Sequence, residues 1–246
     1  MALETLIIIF TALAVGSLVK GISGLGLPLI AIPVMAGFME VYQAVAIMIF
    51  PRMLTNGYLL WAHRNHAVKL VSLPSAILVG ILGIVFGSWI LSNTPGDYLL
   101  LFLSLWLGGY LFSLLFSKKV ELPRVVTQNL SMIVVALGGI IQGAIGTAGP
   151  ILVPYIHSLR LKHGEFMFAV SVLFQIFAFA QLFAFIWFGL MDLEGTYLGL
   201  LACIPVIIFL PVAVRLSTLF SERASNGVVI ALLVLIEARL IWRLVN

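Results

Sequence analysis

The chain has 246 residues, of which 63% are hydrophobic and 9% are charged, and its formal net charge is +4. Soluble domains carry about 25% charged residues, so this composition excludes a soluble protein and predicts a multi-pass protein of the lipid bilayer. The basic excess then reports loop orientation rather than a nucleic-acid partner. The single cysteine, Cys203, excludes an intramolecular disulfide. Because no polar stretch is long enough to fold separately, residues 1–246 are expected to form a single transmembrane domain.

Ten apolar segments follow one another along the chain, divided by short polar breaks. A helix needs about 17–25 apolar residues to cross the bilayer, so most of these segments are long enough to span it. They cover residues 3–19, 21–38, 41–61, 70–91, 98–116, 125–141, 143–158, 166–188, 196–214 and 227–242. The predicted fold is an all-α polytopic membrane protein with roughly eight to ten hydrophobic segments.

A motif rich in glycine and proline occurs once in each half of the chain. Shifting the sequence by 122 residues places G-I-S-G-L-G-L-P (21–28) on G-A-I-G-T-A-G-P (143–150), and Gly16 on Gly138. Self-similarity at one spacing is expected of a transporter built from two repeats. We therefore predict an internal repeat 1 of about residues 1–118 and an internal repeat 2 of about residues 125–246.

The distribution of charges predicts that the two repeats are inverted. Nine of the thirteen Lys and Arg residues lie in four polar breaks, which the positive-inside rule places in the cytoplasm. The intervening breaks hold acidic residues and no base, namely Glu40, Asp97, Asp192 and Glu194. With this sidedness each Gly/Pro motif makes no net crossing, so each repeat is a broken helical hairpin followed by three spanning helices. Both termini then lie outside, although Arg239 and Arg243 near the C-terminus oppose this orientation.

The turns of the two hairpins are expected to meet near the middle of the membrane. Non-helical backbone at that depth is tolerated where it is buried in protein or lines a cavity, and glycine lets a ligand approach the backbone closely. Pro28 and Pro150 suit the first turn of each second arm. The start of a helix presents free N–H groups and a partial positive charge, which favour an anion.

Two basic residues strengthen the prediction of an anion site. Lys20 lies in the first hairpin motif and Arg52 near the centre of the third segment, and no carboxylate of a core segment lies at similar depth. A charge at the centre of a span is unfavourable by about 2.5–3.5 kcal/mol. The counter-charge is therefore expected to be a bound ligand.

Polar residues from both repeats complete the predicted cavity. Thr55 and Asn56 follow Arg52 on the same helical face, and the second repeat contributes amide and hydroxyl donors. The predicted substrate-binding residues are Lys20, Gly21, Ser23, Gly24, Gly26, Arg52, Thr55, Asn56, Gln142, Gly143, Gly146, Thr147 and Gln175. Such a cationic site suits a small oxyanion, and we predict no metal and no cofactor.

These residues also have structural alternatives. The glycines can serve only to let helices pack closely, and the amides can link helices. Lys20 can reach the membrane surface if the first segment is a full span. Arg52, with apolar residues on both sides, is the hardest to explain as structural.

Several stretches of the chain carry a family resemblance. They are the duplicated G-x-x-G-x-G-x-P and G-x-x-G-x-x-G-P motifs, P-R-M-L-T-N (51–56), and G-I-V-F-G-S-W-I-L-S (83–92). With them the chain resembles the TauE/SafE family of sulfite exporters and sulfonate transporters over nearly its whole length. The resemblance implies transport of small sulfur oxyanions or organosulfonates across a bacterial inner membrane. The second motif departs from the first in having Ala148-Gly149 where the first has Gly26-Leu27.

A transporter that is not an enzyme is the preferred function. Because the cell interior is negative, each charge that an anion carries outward gains about 2.3 kcal/mol per 100 mV. The sequence places no Asp or Glu in the middle of a span, which disfavours a carboxylate proton relay and favours export by uniport.

Two other functions remain open at this point. An open anion channel would give unsaturable flux. An intramembrane serine protease would use the G-x-S-G pattern at 21–24, but no histidine lies in a late span to activate the serine. The expected partners are a small anionic substrate and the lipid bilayer, and the sequence leaves open whether the protein forms a homo-oligomer.

Overall fold

A computed structural model of the protein describes residues 3–23, 26–66, 73–116, 131–216 and 222–245. Within these ranges the chain forms α-helices and one short 3₁₀ turn, and no strand. The helices are α1 (Leu3–Ser23), α2 (Leu27–Ala36), α3 (Val41–Ala62), α4 (Leu73–Asn93), α5 (Gly96–Phe116), α6 (Ser131–Ile145), α7 (Gly149–Ser158), α8 (His163–Trp187), α9 (Leu193–Leu201), α10 (Cys203–Leu216) and α11 (Glu222–Val245).

The predicted all-α polytopic membrane fold is confirmed. Five helical stretches of the described chain are long and apolar enough to cross a membrane. They are Leu3–Gly21, Val41–Ala62, Gly96–Phe116, His163–Trp187 and Leu193–Leu216. Shorter apolar helices lie between them, as the predicted hairpins require.

The first Gly/Pro motif forms a hairpin with arms of unequal length. Helix α1 has 21 residues and α2 has 10, which correspond to about 31 Å and 15 Å at 1.5 Å per residue. Because α1 continues through Lys20 and Gly21 as far as Ser23, Lys20 lies within the last turns of α1 rather than at the hairpin turn. Helix α2 begins at Leu27, with Pro28 in its first turn as predicted.

The second motif forms a similar turn between α6 and α7. Helix α6 ends at Ile145, and α7 begins at Gly149 with Pro150 in its first turn. Between them Gly146 has φ +72°, a left-handed conformation that glycine adopts without a steric penalty. Gly146 is therefore the residue that allows the chain to reverse here.

The short helices reproduce the spacing of the predicted repeat. Helices α2 and α7 each have 10 residues and begin 122 positions apart. The helices that follow them, α3 and α8, differ in length but also begin 122 positions apart. The equal spacing of these helix starts supports a duplication, while the inverted relation between the repeats stays a prediction.

Helices of both predicted repeats are combined in two compact units. Unit 1 comprises Met1–Pro51, Thr94–Lys118 and Asp192–Asn246, and unit 2 comprises Arg52–Asn93 and Lys119–Met191. Unit 1 therefore contains the first hairpin with α10, and unit 2 contains the second hairpin with α4. Helix α3 contributes residues to each unit on either side of the Pro51–Arg52 bond.

Within unit 1, small residues bring α1 close to its neighbours. A Cβ atom on Gly16 would lie 2.9 Å from Leu27 Cδ1 of α2, and one on Gly21 would lie 2.3 Å from Ala213 Cβ of α10. At Gly21 no larger residue fits unless the helices move apart, whereas at Gly16 the end of the Leu27 side chain would have to shift. Small residues at helix crossings are the usual means of close packing in membranes.

Arginines of α11 hold one end of unit 1 together. Arg243 donates to the carbonyl oxygens of Ala36 and Met39 at the end of α2, and to Glu40 Oε1 at 2.9 Å. Arg239 lies over the ring of Phe38, with its guanidinium carbon 4.6 Å from the ring centroid. Arg239 and Arg243, which oppose the predicted orientation, therefore both contact the loop that follows α2. Glu40 in this loop neutralises the charge of Arg243.

Within unit 2, glycines line the crossing of α4 and α6 on both sides. A Cβ atom on Gly87 would lie 2.1 Å from the carbonyl oxygen of Ile140, and one on Gly143 would lie 2.3 Å from that of Ile84. The backbones of the two helices are therefore in direct contact. A buried apolar cluster that includes Ile84, Leu152 and Phe177 packs beside this crossing.

Histidines mark one end of unit 2. The ring of His63 lies 6.0 Å from that of His66 and 6.5 Å from that of His163, measured between centroids. The break after α3 and the break before α8 therefore lie at the same end of unit 2. The charge distribution places both breaks in the cytoplasm, so this arrangement supports the predicted sidedness.

Candidate anion-binding site

Arg52 is a buried cation in the described part of unit 2. It follows Pro51 near the middle of α3, and only 2% of its surface is exposed. Its Nη1 donates to Gln181 Oε1 at 2.7 Å, and its Nη2 donates to the carbonyl oxygen of Gly146 at 2.8 Å. Among the described residues no carboxylate pairs with it, since the ion pair found there joins Arg243 to Glu40.

Two glutamines fix the guanidinium against the turn of the second hairpin. Gln142 Nε2 donates to Gln181 Oε1 at 2.8 Å, and Gln181 Nε2 donates to the carbonyl oxygen of Gln142 at 2.7 Å. Gln142 Oε1 in turn accepts from the backbone N–H of Ala148 at 3.3 Å. Neutral oxygen atoms therefore orient Arg52 without cancelling its charge.

Three buried donor groups near this turn have no hydrogen-bond partner. They are Arg52 Nε, Asn56 Nδ2 and Thr147 Oγ1, and we call them the donor set. Asn56 lies one helical turn from Arg52 on the same face of α3, and Thr147 follows the glycine whose carbonyl binds Arg52. An unsatisfied buried polar group is unfavourable by about 1–3 kcal/mol, so a donor set of this kind calls for an acceptor.

The other predicted residues of unit 2 have different roles. Thr55 donates to the carbonyl oxygen of Arg52 at 3.1 Å, within its own helix. Gly143 faces the α4 backbone and serves helix packing, which was the structural alternative for the glycines. Gln175 has a buried Oε1 without a partner, but this atom is an acceptor and would not attract an anion.

Gln181 is the residue that the sequence did not reveal. It lies in α8 within the run F-A-F-A-Q-L-F, where a single amide among apolar residues is the available signal. Its counterpart at the 122-residue spacing is Leu59, so the repeat gives no indication of it. The structure shows that Gln181, rather than Gln175, contacts Arg52.

The predicted residues of the first hairpin belong to unit 1. Lys20 is half-buried in α1, Gly21 faces α10, and Gly26 caps the start of α2. Ser23 is the last residue of α1 and its side chain lies outside the described part of the structure, as does the whole of Gly24. The shared site for Lys20 and Arg52 stays a prediction.

The chain matches the family model described as sulfite exporter TauE/SafE over residues 8–240. It belongs to the TauE/SafE family. No curated protein and no solved structure shows a significant match to the chain. Membership of TauE/SafE, together with the five long apolar helices, confirms the resemblance and makes this a multi-pass membrane protein of a transport family. Transport is accordingly favoured over the intramembrane protease alternative.

Proposed function

We propose that the protein carries small sulfur-containing oxyanions, sulfite or organosulfonates, across the bacterial inner membrane, and that Arg52 binds the anion. The observation that supports this most directly is the positive charge of Arg52. It is buried in the described part of unit 2 without an acidic partner, beside donors that have no acceptor. The TauE/SafE match supplies the class of substrate.

The donor set is chemically suited to a sulfur oxyanion. Sulfite and sulfonate groups are compact, carry several acceptor oxygens and have no hydrogen to donate at full ionisation. They can accept from Arg52 Nε, the Asn56 amide and the Thr147 hydroxyl, and the hydrogen bond to the guanidinium is charge-assisted. The partial positive charge at the start of α7 adds to the attraction.

The other hydrogen bonds of Arg52 determine how it can bind. Gln181 and Gly146 each accept one hydrogen bond from an Nη atom, so three of the five guanidinium N–H groups, the Nε–H and one on each Nη, remain to contact an anion. The glutamines act as positioning residues for the guanidinium.

Export by uniport is the mode that the energetics favour for a lone anion. The membrane potential drives an anion outward by about 2.3 kcal/mol per charge per 100 mV, and the description of the family is that of an exporter. The proposal requires no metal and no cofactor.

The test is flux in proteoliposomes for sulfite, sulfate, thiosulfate, taurine and sulfoacetate. Arg52→Ala is expected to weaken anion binding by roughly 10- to 150-fold, because a hydrogen bond to a charged group contributes about 1.5–3 kcal/mol and 1.4 kcal/mol corresponds to tenfold. The matched control is Arg64→Ala, since Arg64 is an exposed arginine bound to the Trp61 carbonyl. Unsaturable flux would indicate the channel instead, and equal anion affinity in Arg52→Ala and wild type would contradict the site.

A further inference from the structure

One carboxylate lies within the last predicted apolar segment, residues 227–242. Glu237 belongs to α11 and precedes Arg243 by six residues, which is about 9 Å along the helix axis. Since Arg243 binds Glu40 and the end of α2, it marks the end of unit 1 that faces the loop. Glu237 therefore lies within the predicted apolar segment 227–242, away from that end of α11.

Within the described part of the chain, the hydrogen bond found for the Glu237 carboxyl comes from one serine. Ser104 of α5 is buried, and its hydroxyl donates to Glu237 Oε1 at 2.5 Å. Glu237 Oε2 is buried without a hydrogen-bond partner. Gly108, one turn after Ser104, faces the same carboxyl group, since a Cβ atom there would be in ordinary contact, at 3.5 Å, with Glu237 Oε1.

Helices α5, α1 and α2 contact α11. Helix α2 has no ionisable side chain, α5 has Asp97, Tyr98 and Tyr110, and α1 has Glu4 and Lys20. Besides Glu237, the ionisable side chains of α11 are Glu222, Arg223, Arg239 and Arg243. In the described part of the chain Arg243 pairs with Glu40 and Arg239 stacks on Phe38, and the contact described for the Glu237 carboxyl is the Ser104 hydroxyl.

A carboxyl group in this environment is suited to bind a proton. An ionised carboxylate in an apolar span without a counter-charge is costly, and such residues commonly form proton relays in transporters. Protonation at Oε2 removes the charge and leaves the Ser104 hydrogen bond to Oε1 in place. The unpartnered oxygen is thus the atom at which the proton binds.

We propose that Glu237, positioned by Ser104, is a proton-binding site within the membrane and that its protonation accompanies anion transport. This inference rests on the proposed function for the anion. The proton is taken up at Glu237 Oε2 from one side of the membrane and released to the other with the anion. A proton that moves with a singly charged anion cancels its charge, so the membrane potential no longer drives the flux, the proton and anion gradients together set its direction, and this coupled mode replaces the uniport proposed above.

Proteoliposomes that contain a trapped pH-sensitive dye test the link between the proton and the anion. Thiosulfate is a suitable probe because its charge is constant over the neutral pH range. In wild type, thiosulfate flux should be accompanied by proton movement and should depend on pH. Glu237→Gln should reduce proton movement to the level of protein-free liposomes and remove the pH dependence. The control Glu194→Gln changes an exposed carboxylate in the first turn of α9 and should behave as wild type.

Infrared difference spectroscopy of the protein in lipid tests the proton site without any substrate. The C=O stretch of a protonated carboxyl group should titrate with pH in wild type, disappear in Glu237→Gln, and titrate at a different pH in Ser104→Ala. A titrating band that is unchanged in Glu237→Gln would overturn the proton site. Proton movement equal to wild type in Glu237→Gln would overturn the coupling. If no anion in the panel is transported, the proposed function fails, and the infrared titration still decides the proton site.

Discussion

Units 1 and 2 share a packing scheme and differ in the polar groups that they bury. Each contains a hairpin with a ten-residue second arm, and each packs the first arm of that hairpin on another helix through glycine. Unit 1 places the half-buried Glu237 beside a single serine, and unit 2 buries Arg52 among two glutamines and a threonine.

The difference shows which parts of the molecule carry chemistry. Close helix crossings recur in both units, so they belong to the scaffold. The charged groups have opposite signs and different partners, because Arg52 is held by neutral acceptors and Glu237 by one neutral donor. The first arrangement suits an anion and the second a proton.

The largest expected effect comes from the shared scaffold. Gly87→Ala in unit 2 and Gly21→Ala in unit 1 each place a methyl group 2.1–2.3 Å from atoms of a neighbouring helix. Overpacking of this kind is unfavourable by about 1–3 kcal/mol, so both variants should unfold at lower temperature in detergent. The control is Gly109→Ala, because nothing lies within 4 Å of its added Cβ. A Gly87→Ala protein as stable as the control would show that the α4–α6 crossing is looser than the structure indicates.

The fold could be predicted from sequence in its main outline, and the hairpin turn less well. Apolar segments and Pro28 and Pro150 identify the helices and the starts of α2 and α7. The turn was expected near Lys20, but α1 continues to Ser23. The reason is tertiary, since Gly21 packs on Ala213, a residue almost two hundred positions away that no local pattern connects to it.

The candidate site was predictable where a residue is conspicuous in its own segment. Arg52 is a lone base in an apolar run, and its burial follows from that position. Gln181 and Glu237 were missed for physical reasons. One amide in a membrane helix resembles any interhelical contact, and Glu237 lies two residues from Arg239, so in the sequence it is not an isolated charge.

Removing a member of the donor set should have a smaller effect, and it should be confined to unit 2. Thr147→Val and Asn56→Leu are each expected to weaken anion affinity by roughly 3- to 10-fold, because a typical hydrogen bond contributes about 0.5–1.5 kcal/mol. Since neither donor has a partner in the protein, stability without anion should be unchanged or higher.

Ser17→Ala is the matched control for the donor set in unit 1. Ser17 is fully buried and its Oγ also lacks a partner, yet it lies in α1 and belongs to the other unit. Anion affinity measured by titration calorimetry should be the same in Ser17→Ala as in wild type. A loss of stability without a loss of affinity in Thr147→Val would show that Thr147 is structural.

The smallest effect is expected at the end of unit 1, where Arg243 binds Glu40. The two side chains are 27% and 46% exposed, and exposed ion pairs contribute about 0–1 kcal/mol, so Arg243→Ala should lower thermal stability only slightly. This loss of stability should shrink at high salt, which screens the ion pair. It should not vanish, because Arg243→Ala also removes the hydrogen bonds to the Ala36 and Met39 carbonyls.

Arg64→Ala is the control in unit 2, because Arg64 forms no ion pair in the described part of the chain. The unfolding temperature of this variant should depend on salt no more than that of wild type. Equal salt dependence in the two variants would mean that the Arg243–Glu40 pair makes no measurable contribution to unit 1.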